Sequence, residues 1–171
     1  ADLLARLSQR LPLLTDGPLD VPARLRTMRD AIAWSYDLLS PAEQAVFRRL
    51  GVFAGGFALD AAEAVVEATG PLPGAGDPGE LPPSVFGLVA SLVDKSLIRQ
   101  ETESYGDSRF TMLETVREFA LEQVALHGEE HAVLDACAAF YFRLAERSRY
   151  AHYMPDATWY LSRISSEWSN I

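Results

Sequence analysis

The sequence has very little cysteine and very little lysine, and each shortage excludes a kind of site. Cys137 is the one cysteine among 171 residues, so the chain can form neither an internal disulfide nor a cysteine-based metal cage. Cys137 lies in an apolar helical stripe, which predicts a buried structural thiol rather than a nucleophile. Lys95 is the one lysine and stands in "VDKSL", outside any Gly-x-x-x-x-Gly-Lys-[Ser/Thr] pattern. The chain therefore has no P-loop with which to hydrolyse ATP.

Long apolar runs are also absent, and none approaches the ~18 residues that a membrane-spanning helix needs. No signal peptide is visible, so we expect a cytoplasmic protein. The formal net charge of −9 argues against a surface that grips phosphate backbones, because such binding depends largely on Lys and Arg. Apolar residues make up 49% of the chain, which is enough for a packed core and argues against extensive disorder.

Catalytic and metal-binding patterns are missing as well. His127 and His131 are four residues apart, but Gly128 is expected to end the helix between them, and no third ligand is close in sequence. We expect both histidines on the surface near a helix end. No Ser–His–Asp spacing and no converging pair of carboxylates is visible. We therefore predict a non-enzymatic chain with no catalytic residue, no metal and no cofactor of its own.

The sequence does contain clear helix signals. Apolar spacing predicts amphipathic helices over 2–14 and 25–39, and the second has apolar residues on both faces, which predicts burial from several sides. The motif "SPAE" at 40–43 has the form of a capping box with proline in the first helical turn. The helix that follows is expected to stop at "AGGF", where Gly55 and Gly56 can adopt positive φ.

A change of period near residue 96 predicts a β-hairpin. Ser84 is expected to cap a helix with an apolar stripe, and "SLIRQETESYGDSRFTML" predicts two strands around a turn at 105–108. Two long helices follow, and a further helix is expected from about Asp156. This order predicts a mainly α fold, with a winged-helix domain over 23–112 and then the start of a helical-hairpin, TPR-like array. We expect the chain to be a piece of a longer protein. Its last helices would then expose apolar surface through which copies could self-associate.

Three segments in this order resemble the winged-helix region of bacterial STAND-type (NB-ARC-like) signalling ATPases, which include large LuxR-type transcriptional regulators. They are "LRTMRDAIAWSYDLLSPAEQAVFRRLGVFAGGFALDAAEAV", "LVDKSLI" and "RFTMLETVREFALEQV". The resemblance covers about residues 1–150. It implies that 1–22 end a helical subdomain behind an NTPase domain, that 23–112 form the winged helix, and that 113–171 begin a helical sensor. It also implies that the parent protein binds ADP or ATP in that NTPase domain.

The resemblance implies that the winged helix packs on the nucleotide-binding core and helps to hold a closed, ADP-bound state. The partners would be the upstream NTPase domain and the downstream helical repeats of the same chain. Related proteins carry a Met-His-Asp motif just after the hairpin, and the matching residues here are Met112, Leu113 and Glu114. The leucine cannot bind a phosphate group. Glu114 keeps the acid, and it is either a nucleotide-state contact or a plain helix cap and hinge.

Two groups of arginines need an interpretation. Arg24, Arg26 and Arg29 form a basic cluster at the start of the winged-helix region. They are either a solvated helix face or contacts with the NTPase domain or its nucleotide. Arg48 and Arg49, near the end of the next helix, are expected to be surface charges.

DNA binding is the alternative function, because many winged helices read DNA with the helix before the wing. That helix offers Lys95 and Asp94 and little other charge. In the wing, Arg99 and Arg109 are opposed by three acidic residues of the same hairpin. Such a surface is poorly suited to phosphate. The sequence therefore favours a regulatory role through protein contacts over a DNA-binding module.

Overall fold

The computed structural model describes residues 28–74, 83–102, 108–149, 163–167 and 170. In chain order these ranges contain α1 (Met28–Asp37), α2 (Pro41–Leu50), β1 (Phe57–Ala58), α3 (Leu59–Thr69), α4 (Val85–Asp94), β2 (Arg99–Thr102), β3 (Ser108–Thr111), α5 (Glu114–Leu126) and α6 (Glu130–Arg149). A helical turn follows at 163–166. The predicted helix over 2–14, the residues of the hairpin turn before Ser108 and the predicted helix start near Asp156 lie outside the described residues.

Three helices and a hairpin form the predicted winged-helix unit. Helix α3 packs on α2 and α4, and α2 also packs directly on α4. Strands β2 and β3 pair antiparallel, with Gln100 opposite Phe110. The predicted fold class, mainly helical with a small antiparallel sheet, is confirmed.

The sheet has a third strand that the sequence pattern did not predict. Strand β1 pairs antiparallel with β3, so the strand order is β1-β3-β2. Phe57 lies opposite Phe110, and their rings stack with centroids 5.8 Å apart. A strand of two residues is too short to show an alternating pattern, and it can be recognised only from its pairing partner.

The start of α2 confirms the predicted capping box, whereas the helix ends earlier than predicted. Ser40 Oγ accepts a hydrogen bond from the Glu43 N–H at 3.3 Å, and Glu43 Oε2 accepts one from the Ser40 N–H at 2.7 Å. The helix is already capped by Gly51. Of the two glycines in "AGGF", Gly56 has a positive φ of 78°, but it leads into β1. Its missing side chain allows β3 to approach, because an added Cβ would lie 2.7 Å from a carbonyl oxygen of that strand.

Helix α1 is buried on one face only, and the prediction of burial from several sides is wrong. Tyr36 is buried, and its ring contacts Phe47 and Phe119 with centroid distances of 5.5 and 5.6 Å. Trp34, on another face, and Leu38, directly after the helix, are 46% and 64% exposed. Apolar spacing alone cannot tell a helix inside the core from one that lies at its edge.

The prediction of surface positions for Arg48 and Arg49 is also wrong, because both are buried. Arg48 donates Nε and Nη2 to the carboxylate of Glu129 at 2.6 and 3.0 Å, and Arg49 donates Nη2 to it at 2.9 Å. Arg49 Nη1 also donates to the carbonyl oxygens of Val66 and Gly70. Burial opposes ionisation of Glu129, but the hydrogen bonds from the two arginines lower its pKa below the usual range. This arginine–glutamate cluster ties α2 and the end of α3 to the α5–α6 turn.

One hydrophobic core extends from the winged-helix unit into α5 and α6. Helix α6 packs on α3, and α5 packs on α1 and α2, so the core continues across the predicted domain boundary after residue 112. Cys137 is buried in this core, as predicted, and burial raises the pKa of its thiol to about 11. On other faces of α6, Leu134 and Phe142 are 57% and 65% exposed.

Candidate functional site

Of the predicted basic cluster, Arg29 lies within the described residues, whereas Arg24 and Arg26 lie outside them. Arg29 Nη2 donates to the carboxylate of Glu122 on α5 at 2.8 Å, and both side chains are nearly half exposed. The guanidinium of Arg29 also lies 5.6 Å from the centroid of the Phe119 ring. These contacts hold α1 against α5. A contact of Arg29 with a nucleotide or an NTPase domain stays a prediction.

Glu114 is the first residue of α5, and Arg117 binds its carboxylate. Arg117 Nη2 and Nε donate to Glu114 at 2.8 and 3.1 Å, and these hydrogen bonds raise the pKa of Arg117. Arg117 Nη1 also lies 3.4 Å from the carbonyl oxygen of Gly51, which links the start of α5 to the end of α2. The capping position is Leu113, which makes no side-chain capping hydrogen bond, so Glu114 is not the helix cap. A nucleotide contact at Glu114 stays a prediction.

The structure does not bring Arg29 and Glu114 together. Glu114 begins α5, whereas Glu122, which binds Arg29, is eight residues further along the same helix. That separation corresponds to about 12 Å along a helix axis. The two predicted site residues therefore serve two different contacts of α5 with the winged-helix unit.

A groove lies between α4, the wing and the start of α3, and its volume is about 320 Å³. It flanks α4, the helix that corresponds to the DNA-reading helix of many winged-helix proteins. Phe86 stands on its α4 side and is 57% exposed. Asp94 is the one ionisable residue in the described lining. The apolar side chains that line the groove are Leu59, Phe86, Ala90, Val93 and Phe110.

The lysine next to this groove is engaged elsewhere. Helix α4 contains neither Lys nor Arg, and Lys95 directly after it donates Nζ to the carboxylate of Glu43 on α2. Ser91 Oγ donates to the same carboxylate. Burial opposes ionisation of Glu43, but the hydrogen bonds from Lys95, Ser91 and Ser40 lower its pKa to about 2. The carboxylate is therefore charged at neutral pH and keeps Lys95 paired, while Arg99 at the start of β2 is exposed.

Arg109, predicted as a surface charge of the wing, is buried in an ionic cluster. Its Nη1 and Nη2 donate to the carboxylate of Glu167 at 3.0 and 3.3 Å, and its Nη2 donates to the carbonyl oxygen of Gly55 at 2.8 Å. Glu167 is 0% exposed and also accepts hydrogen bonds from Tyr141 Oη at 2.7 Å and Asn170 Nδ2 at 2.8 Å. We call Arg109, Tyr141, Glu167 and Asn170 the Glu167 cluster.

The described part of the chain offers no group of three or more His, Cys, Asp and Glu side chains suited to a metal ion. None of its helices is long and apolar enough to cross a membrane. His127 and His131 are exposed around the α5–α6 turn, which confirms their predicted surface positions.

The chain is similar to segments of two mycobacterial proteins. Over 118 residues, or 68% of this chain, it is 40% identical to a Mycobacterium tuberculosis protein provisionally named an HTH-type transcriptional regulator. Over 133 residues, or 78% of this chain, it is 36% identical to an uncharacterised protein of the same species. The matched segments span 12% of the first relative and 32% of the second. No protein-family model matches the chain, and no solved structure matches it significantly. The name of the first relative fits the regulator class that the sequence resembles.

Sequence reasoning did not find the Glu167 cluster. Arg109 and Glu167 are 58 residues apart, and no motif connects them. The one local signal is the four-residue spacing of Arg163 and Glu167, which favours a helical turn and contains no information about Arg109.

Proposed function

We propose that this chain is a non-catalytic regulatory segment of a STAND-type ATPase that acts as a transcription regulator. In this proposal the winged helix transmits the nucleotide state of an upstream NTPase domain to a downstream helical sensor through contacts within the parent protein. ADP and ATP bind to the NTPase domain of the parent and not to this segment.

The observation that carries the proposal is the character of the groove beside α4. A surface that binds DNA needs cations to neutralise phosphates, whereas α4 has none and Lys95 is paired with Glu43. The described walls of the groove are mainly apolar instead, with Asp94, Gln100 and Ser108 as their polar residues, and Phe86 is more than half exposed beside it. Apolar and aromatic side chains with few charges are typical of the core of a protein–protein interface. We assign the groove to a surface of the upstream NTPase domain.

The packing of α5 and α6 supports the second half of the proposal. Both helices share the core of the winged-helix unit, and the arginine–glutamate cluster joins their turn to α2 and α3. A movement of the NTPase domain at the groove would therefore shift the packed helices and so act on the region after α6, because closely packed interiors transmit strain.

The test is the release of a fluorescent ADP analogue from the full-length parent protein. Phe86→Asp places a charge in the groove and is expected to accelerate release at least about tenfold, which corresponds to about 1.4 kcal/mol of lost contact energy. Phe142→Asp is the matched control, because Phe142 is similarly exposed but lies on α6. Equal release rates for the wild type and both variants would contradict the assignment.

DNA binding is the second candidate, and the provisional name of the first relative favours it. Fluorescence anisotropy of this chain with random and genomic duplexes at low salt tests it. Our proposal expects no submicromolar binding. Submicromolar affinity that falls steeply with salt and is weakened by Arg99→Ala would favour the DNA-binding function instead.

A further inference from the structure

The Glu167 cluster joins three elements that are far apart in sequence. Arg109 belongs to β3, Tyr141 belongs to α6, and Asn170 lies in the same short segment as Glu167. We call this segment, residues 163–167 and 170, the clasp segment. Because Arg109, Tyr141 and Asn170 all bind one fully buried carboxylate, the wing, α6 and the clasp segment meet at a single point.

The cluster also holds the backbone of the loop before β1. Asn170 Oδ1 accepts a hydrogen bond from the Gly55 N–H at 3.0 Å, and Asn170 Nδ2 donates to the carbonyl oxygen of Gly56 at 2.7 Å. From the other side, Arg109 Nη2 donates to the carbonyl oxygens of both glycines. The loop is thus held by two side chains that Glu167 itself positions, so docking of the clasp segment and the geometry of the β1–β3 edge are coupled.

The described contacts of the clasp segment are mainly ion pairs and hydrogen bonds. Among its described residues, Ile164 is the one apolar side chain, and it is partly buried. Arg163 adds an ion pair to Asp60 at the start of α3, whose side chain is 57% exposed. A buried carboxylate is tolerated only while its donors remain in place, and removal of one partner is strongly destabilising. Docking should therefore be all-or-none rather than gradual.

We infer that the clasp segment can detach from the rest of the fold. When it is docked it fixes the wing and the loop before β1, and when it leaves it frees both. The inference rests on the proposed function, because it names the contact through which a downstream sensor would act on the winged helix. In the parent protein, the downstream helical sensor could pull the clasp segment away. That displacement would remove the Glu167 carboxylate from Arg109 and the Asn170 side-chain amide from the loop before β1 in one step.

Hydrogen exchange of this chain tests the clasp, because the Gly55 N–H binds Asn170 only in the docked arrangement. Glu167→Gln replaces an acceptor with a donor facing Arg109, and it should accelerate exchange of the Gly55 amide at least about tenfold. The amides of α3 should keep their rates. The control is Asp60→Asn, which removes the half-exposed partner of Arg163 but leaves Arg163 paired with Glu167 at 3.4 Å, and it should change the Gly55 rate less than about twofold.

Two outcomes would overturn the clasp. One is an unchanged exchange rate of the Gly55 amide in Glu167→Gln. The other is equal acceleration of exchange at Gly55 and at the α3 amides, because the segment would then unfold only together with the core. If Glu167→Gln does not fold, Tyr141→Phe removes one donor to the Glu167 carboxylate without touching the loop or the Glu167–Arg109 charges, and the same comparison of Gly55 and α3 exchange rates decides. The proposed function is judged separately, by ADP release in the Phe86→Asp parent protein, so either idea can fail while the other stands.

Discussion

The arginine–glutamate cluster between α2 and the α5–α6 turn allows a sharp test of how the fold is held together. Glu129→Ala removes the carboxylate that pairs with both Arg48 and Arg49. The two guanidinium groups stay charged, because arginine does not lose its proton in proteins. Their side chains are 7% and 4% exposed, so water can replace the lost partner only if the surrounding structure opens.

The expected loss of stability follows from this burial. Breaking a buried ion pair by removing one partner costs about 3 to 5 kcal/mol. Arg49 keeps its hydrogen bonds to the carbonyl oxygens of Val66 and Gly70, and Glu129 is 18% exposed, so we expect the lower end of that range. A loss of about 3 kcal/mol is a large share of the roughly 5 to 15 kcal/mol by which such domains are stable.

The assay is urea unfolding followed by far-UV circular dichroism at pH 7, with Glu122→Ala as the matched control. That change removes the partner of Arg29 in a pair whose side chains are 46% and 42% exposed. An exposed pair contributes about 1 kcal/mol or less. Equal losses for Glu129→Ala and Glu122→Ala would refute the conclusion that the arginine–glutamate cluster stabilises the junction.

The pH dependence of the folding stability is a second test of the same contact. The pKa of Glu129 is lowered in the folded chain, because the hydrogen bonds from Arg48 and Arg49 outweigh the effect of burial. A lowered pKa means that the contribution to stability is present above the unfolded-state value and is lost as the pH falls below it. The wild type should therefore lose more stability than Glu129→Gln as the pH falls through and below the unfolded-state pKa of 4.5. Parallel stability curves for the two proteins would argue against the ion pair.

Three further predictions concern single side chains. Glu43 should titrate near pH 2 in a carboxyl-carbon NMR experiment, because the hydrogen bonds from Lys95 and two serines outweigh burial, and its contribution to stability should be lost as the pH falls from about 4.5 towards 2. A titration midpoint above 4 would mean that Lys95 does not hold this carboxylate. Gly56→Ala should cost about 2 to 3 kcal/mol in urea unfolding, because its φ is +78° and the new Cβ would meet a carbonyl oxygen at 2.7 Å. Gly128→Ala, with φ at +68° and no heavy atom within 4 Å, should cost only about 1 kcal/mol, and equal costs would exclude the close approach. Cys137 is buried with a pKa of about 11, so it should react with a disulfide reagent at least about tenfold more slowly in the folded than in the urea-unfolded chain, and equal rates would show that the thiol is accessible.

Part of the candidate site was accessible to sequence reasoning, and part was not. The low charge of α4 is a property of its residue types, so the argument against a phosphate-binding surface survives in the structure. The apolar groove beside it was not predicted, because its walls come from α3, α4 and the hairpin together. Arg29 and Glu114 are both predicted contacts of the NTPase domain or its nucleotide, yet Arg29 lies on α1 and meets α5 at Glu122, eight residues after Glu114. Sequence order does not show which end of a helix a distant residue meets.

Sequence alone determined the features that depend on residues a few positions apart. The capping box at Ser40, the hairpin, the order of the helices and the absence of a P-loop follow from local geometry and residue type. Tertiary structure decided which charges are buried. Arg48 meets Glu129 across 81 positions, and Arg109 meets Glu167 across 58. An arginine on a polar helix face or strand looks the same in sequence whether water or a distant carboxylate solvates it, because burial of a charge is a property of the pair and not of either residue.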